Sequence, residues 1–200
     1  MPQPDLVIFD CDGVLADSEI IAARVEAQLL GAAGFEITPE ELAQNYAGLT
    51  FKDILLRIEQ ETGQPFQATL IEEAERQVDK RLAREVRAIE GAPEAVLSVK
   101  GPRCICSNSG SARLDVTLTR IGLKPFFADA VFSAADIPSG RPKPAPDVFL
   151  HAAKTLGANP AKTFVVEDSV HGVAGAVSAG MRVIGFTGAS HSFPGHADLL

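Results

Sequence analysis

Five short apolar runs punctuate this 200-residue chain, and they constrain its fold more than any other feature. They are Asp5–Phe9, Cys104–Cys106, Ala130–Phe132, Phe164–Val166 and Val183–Gly185. Continuous apolar runs of this length read as strands buried on both faces, as in a parallel sheet. Helical patterns alternate with the later runs at about 93–100, 111–121, 146–156 and 170–179. Strand alternating with helix predicts an α/β protein, a Rossmann-like parallel sheet with helices on both faces.

One stretch breaks the alternation. From Ser18 to Arg87 the patterns are helical and no strand is convincing. Ile71, Ala74, Val78, Leu82 and Val86 fall on one helix stripe, with Glu72, Glu75, Arg76, Asp79 and Lys80 around the rest. Thr38-Pro39-Glu40-Glu41 is a capping box with proline at the first helical position, and Thr50 with Asp53 starts the next helix the same way. An all-helical insert at 18–87 therefore divides a core made of 1–17 and 88–200. Pro194 to Leu200 reads as the opening of a further helix or as a short cap on the last strand.

Composition removes several classes of function. Hydrophobic residues are 46% and charged ones 22%, which suits a globular protein rather than a disordered one. The net charge of −8 makes nucleic acid and anionic membranes poor partners. No apolar run approaches the ~20 residues of a membrane-spanning helix, and Met1 to Asp5 lack the features of a signal peptide. Three cysteines, Cys11, Cys104 and Cys106, form no disulfide framework, so a reducing cytoplasm is the expected location.

The chemistry gathers at strand ends. Asp10-Cys11-Asp12-Gly13 follows the first strand, and residues i and i+2 of extended chain face the same way. Asp10 and Asp12 thus share one space, which is costly for two anions unless a cation or proton lies between them. Glu167 and Asp168 end another strand and complete an acidic cluster. A few hard oxygen ligands with room for water and phosphate describe a Mg²⁺ site better than calcium or zinc. Ser107-Asn108-Ser109-Gly110 lies between a strand and a helix; it suits either a phosphate or carboxylate site or a plain N-cap turn. Lys143 lies in a stretch stiffened by Pro142, Pro144 and Pro146, which favours it over Arg141 as an inward-aimed cation; a solvated surface lysine is the other reading.

Other constellations are poorer. Cys104 and Cys106 read as buried core thiols rather than zinc ligands, and His151, His171, His191 and His196 have no motif spacing. Neither a P-loop nor a dinucleotide-binding glycine fingerprint is present. Gly172, Gly175 and Gly180 read as places where a helix packs closely or ends.

Four motifs taken together, Asp10-x-Asp12, Ser107-Asn108, Lys143 in K-P-x-P-D and Glu167-Asp168, resemble those of the haloacid dehalogenase-like superfamily of phosphatases. The resemblance covers the whole chain and lies nearest its sugar-phosphate phosphatase and β-phosphoglucomutase-like branch. Phe9 to Glu19 and Ala88 to Ala92 look particularly like bacterial 6-phosphogluconate phosphatases. The helical insert looks like the family's small cap.

The resemblance implies that Asp10 is the nucleophile and Asp12 the general acid and base. It implies Mg²⁺ held by Asp10, Asp168 and the backbone carbonyl of Asp12, with Glu167 in support, and a phosphoryl group held by Ser107, Asn108 and Lys143. In the cap, Thr50 and Lys52 at a helix start are placed to meet hydroxyls or a carboxylate of the substrate, unless Phe51 packs inward and leaves Lys52 solvated. The mutases of the branch carry histidine and tryptophan where this chain has Ala22 and Glu26, and an arginine where it has Phe51. The expected function is a Mg²⁺-dependent phosphatase of a small phosphorylated metabolite, with a sugar phosphate as the expected substrate. A β-phosphoglucomutase-type phosphotransferase is the alternative, and a phospho-aspartate receiver module is the rival from another class.

Overall fold

The computed structural model describes residues 3–46, 49–138 and 140–200. Five strands, β1 (Leu6–Phe9), β2 (Arg103–Ser107), β3 (Val131–Ser133), β4 (Thr163–Glu167) and β5 (Arg182–Gly185), form one sheet in the order β3-β2-β1-β4-β5. Every neighbouring pair is parallel. Helices α1 (Glu19–Ala32), α2 (Pro39–Asn45), α3 (Phe51–Thr62) and α4 (Thr69–Glu85) all lie between β1 and β2, and α5 (Ala92–Ser98) leads into β2. The remaining helices, α6 (Ser111–Arg120), α7 (Asp147–Thr155) and α8 (Val170–Ser178), connect the later strands.

The strand period of two sorts β1 between two cores. Leu6 and Ile8 pack with Cys104, Cys106, Val148, Phe149 and Val165 on one face of the sheet. Phe9 packs on the other with Ile105, Leu114, Leu118 and Phe127. That second core continues into Ile20, Ile21, Val25, Val78 and Leu82, so α1 and α4 rest on the sheet side of the molecule. A third cluster, Leu30, Leu42, Tyr46, Ile54, Leu55 and Ile58, holds the helices of the insert to one another.

The insert begins and ends at adjacent points. Asp17 N–H donates to Arg87 O at 3.0 Å and Ile89 N–H to Leu15 O at 3.0 Å, around an antiparallel bridge between Ala16 and Ala88. The capping box is formed: Thr38 Oγ1 accepts from Glu41 N–H at 3.1 Å and Thr38 N–H donates to Glu41 Oε2 at 2.9 Å. Thr50 caps α3 by accepting from Asp53 N–H at 3.2 Å. The tail departs from the helical expectation. Pro194 to Leu200 makes only one 3₁₀ turn, His196–Asp198, behind Gly195 at φ 91°.

β1 is central, and the chain returns beside it from both directions. Phe9 is in register with Ile105 of β2 and Val166 of β4. The residues just beyond, Asp10, Ser107 and Glu167, therefore emerge side by side. The crevice at the carboxyl ends where strand order reverses is the usual binding place of an open α/β sheet.

Candidate active site

Lys143 is the hub. It is 7% exposed, and its Nζ donates to Cys106 O at 2.7 Å, to Glu167 Oε1 at 2.5 Å and to Asp10 Oδ1. Burial alone would favour the neutral amine, but Asp10 and Glu167 outweigh it and hold the ammonium charged. Asn108 fixes the loop that carries it, accepting from Lys143 N–H at 2.8 Å and donating to Lys143 O at 3.3 Å. Arg141, its sequence competitor, turns outward and pairs with Asp147 at 3.1 Å.

Asp10, Glu167 and Asp168 each present a carboxylate oxygen within 4.8 Å of the others. When all three carboxylates are ionised they exceed the one ammonium among them by two negative charges in a buried space. Burial pushes the Asp10 carboxyl well above its ordinary range; Lys143 pulls it back, while Glu167, Asp168 and Asp12 push it further up. A divalent cation among these hard oxygens balances the charge and restores the ionised form, so the donor set fits Mg²⁺. Two glycines make the crowding possible. A Cβ on Gly13, at φ 79°, would sit 1.8 Å from Asp168 Oδ2, and one on Gly172 would sit 2.0 Å from Glu167 Cδ. Ser169 caps α8 and also donates to Glu167 Oε2 at 3.1 Å, which fixes that carboxylate from behind.

Asp12 does something different from the expectation that its side chain joins the acidic cluster. Its Oδ1 accepts from Ser18 Oγ at 2.8 Å, and its Oδ2 from Ser109 Oγ at 2.7 Å and Ser107 Oγ at 3.3 Å. Hydroxyl donors from three directions draw this carboxylate aside from Asp10, Glu167 and Asp168. Ser107, 2% exposed, thus stands between Asp12 and the turn into α6.

A cavity of about 500 Å³ opens above these groups. Its walls come from α1, the start of α3, and the segment after β5 that carries His191, Phe193 and His196. Thr50 lies on the wall, with its hydroxyl engaged by Asp53 at 2.6 Å. Lys52 does not reach it: it is exposed and absent from the lining, while Phe51 packs against the insert's own core. The helical register explains this, because neighbouring helix positions point about 100° apart. Ala47 and Gly48, from the same stretch, lie outside the described residues.

Several lining groups escape sequence reasoning. His191 Nε2 meets Asp168 Oδ2 at 3.2 Å; burial favours the neutral ring, but Asp168, Glu19 and Asp17 together raise its pKa. Ser190 N–H donates to Asp17 Oδ1 at 3.0 Å and ties this segment to the start of the insert. Glu19 and Glu26 also line the cavity from α1. Their signal was present as two acids seven residues apart, flanking small Ala22 and Ala23 on one helix face.

The haloacid dehalogenase-like hydrolase family profile matches residues 7–186. Among curated proteins, the chain is similar to the 6-phosphogluconate phosphatase of Escherichia coli, 31% identical over 97% of this chain and 87% of that one. It is also similar to hexitol phosphatase B of the same organism, 30% identical over 88% of this chain and 81% of the relative. Among solved structures, a haloacid dehalogenase-like protein of Agrobacterium tumefaciens superposes with a TM-score of 0.94 at 55% identity, over 98% of this chain and 88% of that one. A haloacid dehalogenase family hydrolase of Deinococcus radiodurans with bound phosphate and sodium gives 0.80 at 31% identity, over 98% and 87%. With its parallel sheet, its helical insert and its acids at the strand ends, the chain belongs to the haloacid dehalogenase-like hydrolases.

Proposed function

We propose that the chain is a Mg²⁺-dependent phosphatase that hydrolyses a small sugar phosphate through an aspartyl-phosphate at Asp10. The observation that carries this is Asp10 itself, held against Lys143 on the cavity floor with Asp12 two residues on and independently anchored. A carboxylate so placed attacks phosphorus while the ester P–O bond breaks. Asp12 serves as the acid that gives a proton to the departing oxygen; it then takes one from the water that attacks the phosphorus and frees Asp10. Lys143 and Ser107 line the cavity floor, where they would hold the transferring oxygens, and Asn108 serves by fixing the Lys143 loop. Asp10 and Asp168, with Glu167 behind them, are the residues that would hold Mg²⁺, whose charge offsets that of the phosphoryl oxygens.

The relatives' names support a phosphomonoesterase and point to both a sugar acid and hexitols. No helix of the described residues is long and apolar enough to cross a membrane, and all three thiols are free and buried, which supports a reducing cytoplasm. The test is phosphate release from a panel of sugar phosphates. Activity is expected to stop in EDTA and return with Mg²⁺. Asp10→Asn should lower turnover by roughly 10⁴-fold or more, as expected for loss of a nucleophile. Undiminished release by that variant, or in excess chelator, overturns the assignment.

A further inference from the structure

The cavity differs in chemistry between its floor and its far wall. Lys143 is the only lysine or arginine among the described residues that line it, and Asp10 and Glu167 already share its ammonium. Glu19, Ala22, Ala23 and Glu26 stand at i, i+3, i+4 and i+7, so one face of α1 looks into the cavity. The two alanines leave room between the carboxylates. Asp53 adds a third acid from α3, already engaged by Thr50.

Glu26 has no hydrogen-bond or ion-pair partner among the described residues. Burial alone pushes its carboxyl up to about 7, and no cation or hydrogen bond offsets that effect. A half-buried acceptor without a donor is costly, and an entering ligand that supplies donors relieves the cost. Polyol hydroxyls do so, and a neighbouring pair can reach both carboxylate oxygens. Above that pKa of about 7, a substrate carboxylate or second phosphate brings further negative charge to a wall that presents no lysine or arginine among the described residues and whose His191 is already paired with Asp168.

We propose that Glu26 makes this cavity select phosphomonoesters whose distal end is a neutral polyol, and reject those ending in a carboxylate or a second phosphate. The inference rests on the phosphatase reading and goes beyond it by naming the substrate class. It also replaces the expectation that Lys52 meets a carboxylate of the substrate, since Lys52 does not line the cavity.

Two substrates that differ at one carbon test it. Glucitol 6-phosphate ends in a hydroxymethyl group; 6-phosphogluconate ends in a carboxylate. At pH 8, where Glu26 is ionised, the enzyme should favour glucitol 6-phosphate by about tenfold or more in kcat/KM, mainly through KM, because uniform binding is what the far wall supplies. Glu26→Gln removes the charge at nearly constant shape and should shrink that preference about fivefold; Glu26→Ala should shrink it as well. A preference for 6-phosphogluconate in the unaltered enzyme, or an unchanged ratio in both variants, overturns the proposal. Hydrolysis of both substrates without discrimination overturns the selectivity alone. Failure to hydrolyse either one, or acetyl phosphate, overturns the phosphatase reading and this inference with it.

Discussion

Glu167 and Gly172 show how little slack the site has. A methyl on Gly172 would lie 2.0 Å from Glu167 Cδ, and Glu167 is fully buried, so the carboxylate must shift away from Lys143. Gly172→Ala should cost about 1–3 kcal/mol, the usual range for overpacking, and lower Tm by roughly 2–10 °C for a chain of this size. It should also reduce kcat, because Lys143 aligns Asp10; wild-type melting and turnover would remove this account. Glu26 gives a pH-dependent prediction. Its carboxyl titrates near 7 in the fold against 4.5 when unperturbed. Between those values the folded state binds more protons than the unfolded state, so this group's contribution to stability falls as pH rises through that window. Glu26→Gln removes the effect: the variant should match the wild type at pH 4.5 and exceed it by about 1–3 kcal/mol at pH 8, allowing for partial exposure to the cavity. Melting curves at the two pH values check it, and a constant difference would mean that Glu26 is freely solvated. Single residues were also where the sequence was least legible. Asp10 and Lys143 could be singled out because a strand end and a proline-rich loop restrict where they point. Asp12's turn toward three serines, and Lys52's exposure, depend on side-chain directions that spacing does not fix.

At the scale of elements, local chemistry shows itself twice, once in the sequence and once in the fold. The Thr38 capping box satisfies N–H groups at the start of α2 and lies outside the cavity lining. Thr38→Ala should therefore cost about 1 kcal/mol and lower Tm by roughly 2–4 °C, with kcat unchanged. A normal Tm would show that α2 is held by Leu42 in the insert core rather than by its cap. The runs of β1 and β2 were legible as strands because a strand buried in the sheet has few polar positions; β5, equally apolar, departs from that expectation, lying at the sheet edge with Ile184 exposed. The stripe on α4 was legible because Ala74, Val78 and Leu82 bury one face and charged residues fill the others. α1 was harder. It buries Ile20, Ile21, Val25 and Leu30 toward two different cores while turning Glu19 and Glu26 to the cavity, so no single apolar stripe emerges. The segment after β5 was harder still. Its place beside Asp168 comes from the contacts of His191 and Ser190 with distant residues, which no local period encodes.

At the scale of the whole molecule, the charge of the cavity bears on hydrolysis against isomerisation. A phosphoglucomutase-type reaction passes through a sugar bisphosphate and must hold one phosphate at the floor while a second occupies the far wall. A second phosphate needs its own cationic or multiple N–H clamp, since a phosphomonoester carries nearly two negative charges near neutral pH. Here Asp10, Asp12, Glu19, Glu26, Asp53 and Asp168 all line one cavity, and Lys143 is committed to the floor. The net charge of −8 offers no compensating field from the rest of the surface. The insert meets the sheet side through Asp79 of α4, whose ion pair at 2.6 Å with Arg113 of α6 occupies that core arginine away from the cavity lining. We therefore expect net phosphate release from sugar phosphates. We expect no appreciable conversion of β-glucose 1-phosphate to glucose 6-phosphate, even with the 1,6-bisphosphate primer present. Following both products by phosphorus NMR in one reaction separates the outcomes. Isomerisation faster than phosphate release would mean that the wall tolerates a second phosphate, and would overturn both the hydrolase assignment and the selectivity argued from Glu26.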